Sequence, residues 1–269
     1  MLRTRGLKGL IDVAYHGSGK RIAVVTLNSP KTLNAMTVDM GTEFVQAVEV
    51  LSKEPELRAV VVTGAGSAFS AGGDIKFLRS RISDTFDGNV IAMRAFYSRF
   101  LSVRKLGVPV VAGINGHAIG AGFCVALACD VRVVSETAKL AINFTRLGIH
   151  PGMGGTYFLP KLAGFNTASH LILTGDTISG GDALRMGLVQ GVYKGDEVRD
   201  EAVLIAERIA SASRIAVSES LKTLRAGDEV ELPAALQREA EAQAACYAEG
   251  TDLDEALTAL VEKRAPKFN

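Results

Sequence analysis

The chain has no tryptophan, three cysteines, four histidines and seven prolines in 269 residues. The cysteines (Cys124, Cys129 and Cys246) form no C-x-x-C pair, which argues against a disulfide framework or a structural metal and fits a reducing compartment. The histidines have no H-x-x-x-H spacing, which again points away from a metal. There is no excess of one charge: the net is +1, with 22% charged residues. Nothing in that balance favours nucleic acid or a membrane surface as partner. No apolar run nears the roughly 20 residues that span a bilayer. At 48% hydrophobic, the chain has the material for one substantial core.

The first nine residues hold Arg3, Arg5 and Lys8 without an acid. They read as a short basic tail, with the stub of a mitochondrial presequence as the alternative; the expected setting is a reducing compartment, cytoplasm or, in a eukaryote, mitochondrial matrix, with the organelle left open. The closing K-F-N is not a peroxisomal tripeptide.

Apolar runs at 21–27, 59–63, 108–114 and 131–134 read as strands. Helical spacing marks 38–51, 92–106 and the segment from Phe123 towards Asp130. The alternation predicts an α/β fold with largely parallel sheet and right-handed crossovers. Residues 78–90, polar and weakly periodic, read as a mobile surface segment near the ligand. Beyond a boundary near 193–196 the strands stop, and helices are predicted over 198–211, 214–225, 232–248 and 252–263. The Ala-rich faces there suit close helix packing or an oligomer contact. This divides the chain into a core, 1–195, and a helical region, 196–269.

Two stretches carry the chemistry. S-A-F-S-A-G-G-D at 67–74 follows the strand 59–63, and N-G-H-A-I-G-A-G at 115–122 follows the strand 108–114. Small residues between a strand and a helix let backbone approach a ligand, and free N–H groups there can hold an oxyanion. Two such junctions can supply one N–H each to a single carbonyl oxygen. Asp74 reads as the cap of the following helix. The run Gly64-Ala65-Gly66 opens like a dinucleotide fingerprint, but Phe69 stands where its third glycine belongs. Ser70 has no G-x-S-x-G context, so a serine peptidase ranks last among the functions considered.

With these motifs the chain resembles the crotonase, or enoyl-CoA hydratase/isomerase, superfamily. The resembling segments are 27–35, 68–75, 115–130, P-G-M-G-G-T at 151–156 and the closing 261–268. The resemblance implies a crotonase-like ββα spiral core and a C-terminal helical trimerisation region, assembled as a trimer or a hexamer of two trimers. It implies an acyl-CoA thioester as ligand, no separate cofactor and no metal. The oxyanion donors it implies are the amides of Ala71 and Ala121. It places Lys31, Leu33, Gly72, Gly73, Asp74, Ile75, Lys76, Gly120, Phe144, Lys263 and Phe268 at the ligand. Lys31 and Lys76 are candidates for the CoA phosphates, and Lys263 and Phe268 for closure over it.

The chain departs from the resemblance at the acids. Hydratases of the family carry two glutamates flanking a water. The corresponding positions here are Cys124 and Phe144, and the acid position of related isomerases falls at Gly152 and Met153. Cys124 is then a candidate weak acid or nucleophile at a helix start, with packing as the competing reading. His150 is a candidate base, against a loop histidine bonded to backbone. Asn143, Thr145 and Arg146 are candidates to orient a polar acyl group, against an ion pair of Arg146 with a distant acid. His117 reads as structural, and His16 as a solvated hairpin residue. Two functions follow: an acyl-CoA lyase or isomerase with unusual acid–base groups, or a non-catalytic acyl-CoA binder or carrier on the same scaffold.

Overall fold

A computed structural model describes residues 9–17, 21–247 and 252–268. Most of the basic N-terminal tail lies outside the described residues. The strands are β1 (Ile11–His16), β2 (Ile22–Leu27), β3 (Ala59–Gly64), β4 (Ala68–Ser70), β5 (Val110–Ile114), β6 (His117–Ile119), β7 (Val131–Ser135), β8 (Lys139–Ala141), β9 (Thr177–Ser179) and β10 (Val192–Tyr193). The helices are α1 (Val38–Ser52), α2 (Ile75–Ile82), α3 (Phe86–Phe100), α4 (Ala121–Ala128), α5 (Gly155–Thr174), α6 (Gly180–Arg185), α7 (Val198–Ser211), α8 (Arg214–Arg225), α9 (Asp228–Ala245) and α10 (Asp252–Glu262).

One sheet has the order β1-β2-β3-β5-β7-β10 and the other β4-β6-β8-β9. Successive pairs β3/β4, β5/β6 and β7/β8 each place one strand in each sheet, and a helix follows each of the first two pairs. That is the ββα spiral the resemblance implies. Both sheets are parallel through their middles; β1–β2 and β8–β9 are antiparallel.

The strand β3 reads A-V-V-V-T-G because both its faces are covered. Val60 and Val62 face the main core, while Val61 faces a second core with Val198, Ala202 and Ala206 of α7. This is the period of two that a strand imposes. Arg132 of β7, separated from β3 by β5, is buried as well. Its guanidinium donates to the carbonyls of Leu188 and Cys129 at 2.7 and 2.5 Å.

Two expectations need correction. Residues 78–90 are helical on both sides of a short link at 83–85. Thr85 caps α3 by accepting from the Gly88 amide at 3.0 Å, a local signal that outweighs the weak periodicity. The predicted helix at 92–106 is instead α3, starting earlier at Phe86, followed by a 3-10 turn, Leu101–Lys105. Periodicity did not mark β4, β6, β8, β9 and β10, which hold two or three residues each, too short to give a period.

The helices beyond 196 do not stand apart from the spiral. Ala235, Ala240, Tyr247, Leu253 and Leu257 belong to the same core as β3 and α4. An ion network ties α8 and α9 to the spiral. Arg225 holds both carboxylate oxygens of Asp130 at 2.9 and 2.5 Å, and Arg104 pairs with Asp130 and Asp228.

Candidate active site

The junction after β4 is built from a turn at 33–36. Leu33 and Asn34 both adopt positive φ, 52° and 56°. Asn34 is fully buried, and its Nδ2 donates to the carbonyls of Ala65 and Ala68 at 2.9 and 2.8 Å. The turn zips onto the junction by three bonds: Ala71 N–H to the Leu33 carbonyl (2.8 Å), Met36 N–H to Gly72 (2.7 Å) and Asp74 N–H to Met36 (3.1 Å). The last two flank Gly73, so its own N–H points to the opposite side, with no acceptor among the described residues.

The junction after β6 turns at Gly120, where φ is 54° and a side chain would be strained. Its N–H is used by the Ala141 carbonyl at 2.8 Å. Ala121 is then the first residue of α4, whose opening amides have no partner within the helix. All eight residues of α4 are buried, so its positive end is aimed from the interior.

The two junctions touch. Gly72 has φ of 89°, and a Cβ built on it would lie 2.6 Å from the Ile119 carbonyl oxygen and 3.5 Å from the Ala121 nitrogen. Both open on one cavity of about 380 Å³. Its wall includes Ala71, Gly72, Gly73, Gly120 and Ala121 from the junctions and Ile75 and Leu78 from α2. The turn Phe144–Leu147 supplies Phe144, α9 supplies Gln243, and α10 supplies Leu257 and Leu260.

The implied donor pair changes. Ala121 opens α4 at the cavity wall, but the Ala71 amide is already committed to the Leu33 carbonyl. The amides left for a ligand are those of Gly73 and Ala121. The signal for this is a pairing between residues far apart in the chain, which no local motif carries.

Cys124 does not reach the cavity wall. It is fully buried, and its Sγ would be 3.1 Å from a Cβ on Gly155. Burial pushes its thiol well above the ordinary range, which disfavours the thiolate a nucleophile needs. His150 is also turned away. Its Nδ1 lies 2.6 Å from the Pro151 carbonyl oxygen, which can only accept, so that nitrogen carries the proton. Arg146 pairs with Asp176 at 2.9 Å and with the Thr174 carbonyl, as the competing reading expected. Thr145 Oγ1 donates to the Ile172 carbonyl, while Asn143 lines the cavity. Asp74 caps α2, accepting from Phe77 N–H at 3.0 Å. His117 Nδ1 accepts from Lys139 N–H at 3.1 Å, a structural role. His16 is exposed at the end of β1, beside Glu207.

Lys31, Leu33, Lys76, Lys263 and Phe268 are exposed. Leu33 sits on the turn bonded to the first junction, and Lys76 on α2, whose Ile75 and Leu78 line the cavity. Lys263 follows α10 directly, with φ of 55°. The segment beyond it is drawn back onto α10: Arg264 pairs with Glu255, which also accepts from Lys267 N–H at 2.7 Å.

Sequence reasoning missed three polar groups. Tyr97 and Gln243 line the cavity, and Tyr97 is the one ionisable side chain in its wall among the described residues. Glu239, only 1% exposed, accepts from Gly154 N–H at 2.7 Å and from Thr156 N–H at 2.8 Å. Burial raises its carboxyl above the ordinary value, against the pull of those donors. No group of three or more His, Cys, Asp or Glu suited to a metal occurs among the described residues.

A spiral of ββα units with two strand-to-helix amide junctions facing one cavity defines a crotonase-type protein. The chain belongs to the enoyl-CoA hydratase/isomerase family, whose model matches residues 17–269. It is 36% identical over 256 residues to the short-chain-enoyl-CoA hydratase of Clostridium acetobutylicum, covering 95% of this chain and 96% of that one. It is 34% identical to the crotonyl-CoA hydratase of Syntrophomonas wolfei, covering 93% and 95%. A crystal structure of an enoyl-CoA hydratase from Mycobacterium avium subsp. paratuberculosis superposes with a TM-score of 0.82 at 30% identity, over 97% of this chain and 99% of that one.

Proposed function

We propose that the chain binds an acyl-CoA thioester and stabilises its enolate with the amides of Gly73 and Ala121. The observation that carries this is the pair of uncommitted N–H groups at two touching junctions on one largely apolar cavity. Such donors are worth a few kcal/mol when aimed at a developing oxyanion. The relatives' names supply the ligand class. Lys31, Lys76, Lys263 and Phe268 are the proposed contacts to the CoA portion, and Phe144 the contact to the acyl portion. The reaction is of the lyase or isomerase kind, with fatty acyl groups as the substrate class and no cofactor beyond CoA itself. The assembly we propose is a trimer or a pair of trimers; Ile215 and Leu224, near opposite ends of α8 and 76% and 83% exposed, leave apolar surface for other copies to cover.

The wall holds no carboxylate or imidazole, which favours a second reading, a binder or carrier without catalysis. Loss of positioned acid–base help costs about 10²–10⁴-fold per group. Turnover of 2-enoyl and 3-enoyl CoA thioesters, followed by mass and retention time, separates the two.

The donor pair is tested apart from turnover. An enoyl-CoA conjugated to an electron-rich aryl group absorbs at longer wavelength when its carbonyl is polarised. Binding should shift the band to the red. Ala121→Pro removes one N–H at a helix position that tolerates proline, and should reduce the shift by half or more. An unshifted band in the bound wild-type complex would overturn the oxyanion reading.

A further inference from the structure

Tyr97 on α3 and Gln243 on α9 are both part of the cavity wall and are 2% and 1% exposed. The direction of their hydrogen bonds is fixed by chemistry. The His150 carbonyl only accepts, so Gln243 Nε2 faces it, at 2.7 Å. The same amide then turns Oε1 towards Tyr97, whose Oη lies 2.7 Å away and must donate. The phenol proton is thus committed to Gln243. Burial, with Tyr247 and Glu239 nearby, holds the phenol well above its ordinary range, so the proton stays. Gly152 closes one side of the hydroxyl: a side chain there would overlap Oη. What Tyr97 has left is lone-pair capacity, and no donor reaches it among the described residues.

Apart from Asn143, Tyr97 and Gln243, every side chain in the wall is apolar or absent. A buried acceptor in such a wall discriminates by chemistry, because a ligand lacking a donor leaves it unpaired. We propose that Tyr97 accepts a hydrogen bond from a hydroxyl on the bound acyl group, so that the cavity selects hydroxyacyl thioesters over plain acyl thioesters of equal length. The inference rests on the acyl-CoA reading above. Gln243 acts as the positioning residue: it takes the phenol proton and so sets Tyr97 as acceptor.

The test is competitive displacement of a fluorescent acyl-CoA by matched pairs of thioesters. Each pair has one chain length, with the hydroxyl walked outward from carbon 3, and recovered ligand is checked by mass. The wild type should prefer at least one hydroxyacyl-CoA by about tenfold, the worth of one well-made hydrogen bond. Tyr97→Phe should bring that ratio to within about twofold. Gln243→Met frees the phenol proton to turn towards the ligand. It should move the preference from hydroxyacyl to oxoacyl thioesters, which a merely structural role for Gln243 would not do. Equal binding of every matched pair by the wild type overturns the inference without any variant. So does a preference that survives Tyr97→Phe. Failure of every CoA thioester to bind overturns the acyl-CoA reading itself.

Discussion

Cys129 ends α4 with its Sγ 3.4 Å from the Val125 carbonyl oxygen, and it is buried. Desolvation pushes its thiol from the ordinary 9.0 up to about 12. The unfolded chain therefore sheds this proton first as pH rises. Stability present below pH 9 should fall as pH climbs from there towards 12. Urea unfolding at pH 8 and pH 10.5 should show a lower midpoint at the higher pH, with a smaller loss in Cys129→Ala. An equal loss in both proteins would assign the effect to other groups. Iodoacetamide at pH 8 should spare Cys124 and Cys129 until denaturant is added. At this scale the sequence was legible where the cause is local: Asp74 caps the helix it precedes. It was not legible at Ala71, whose amide is taken by a carbonyl 38 positions earlier. Nor could spacing show that Cys124, four residues past Gly120, turns its thiol into the core.

The helix α9 grips the turn at 150–156 with two side chains one turn apart. Glu239 takes the amides of Gly154 and Thr156, and Gln243 takes the His150 carbonyl. A neutral amide in place of Glu239 would set one NH2 group against a backbone N–H. Glu239→Gln should then cost about 2 kcal/mol in urea unfolding at pH 7, the penalty of an unpaired buried donor. Because Glu239 holds a carboxyl whose folded pKa is raised, its contribution is greatest below the ordinary 4.5 and declines as pH rises through the raised value. The variant should flatten that slope; an unchanged slope would mean that Glu239 does not set it. The sequence did hold a clue to this element. Glu239 and Gln243 are four residues apart within the face of Ala235, Ala240 and Ala244, where a solvated helix would keep its polar residues on the other side. Small residues alone read equally well as an oligomer contact.

Across the whole molecule, the parallel core was legible because β3 and β5 are long apolar runs and the junction motifs sit between strand and helix. The second sheet was not. Its strands have three residues each and take their register from neighbours. The placement of α9 over the cavity was also hidden, since helical period says which face is apolar and not what that face covers; only the resemblance brought the closing segment after α10 towards the ligand. If α8 meets other copies, light scattering should give three or six chain masses. Ile215→Glu with Leu224→Glu should lower that mass while leaving far-UV helicity intact. A single chain mass in the wild type would overturn the trimer.

The cavity that opens between β4 and β6 receives part of its wall from Gln243, Leu257 and Leu260, in the last tenth of the chain. A nascent polypeptide can wind both sheets while these residues are still inside the ribosome, yet it carries an unfinished chamber until they emerge. Messages cut short after α8 would therefore leave both the chamber and the main core unfinished, because Ala235, Ala240, Leu253 and Leu257 belong to that core.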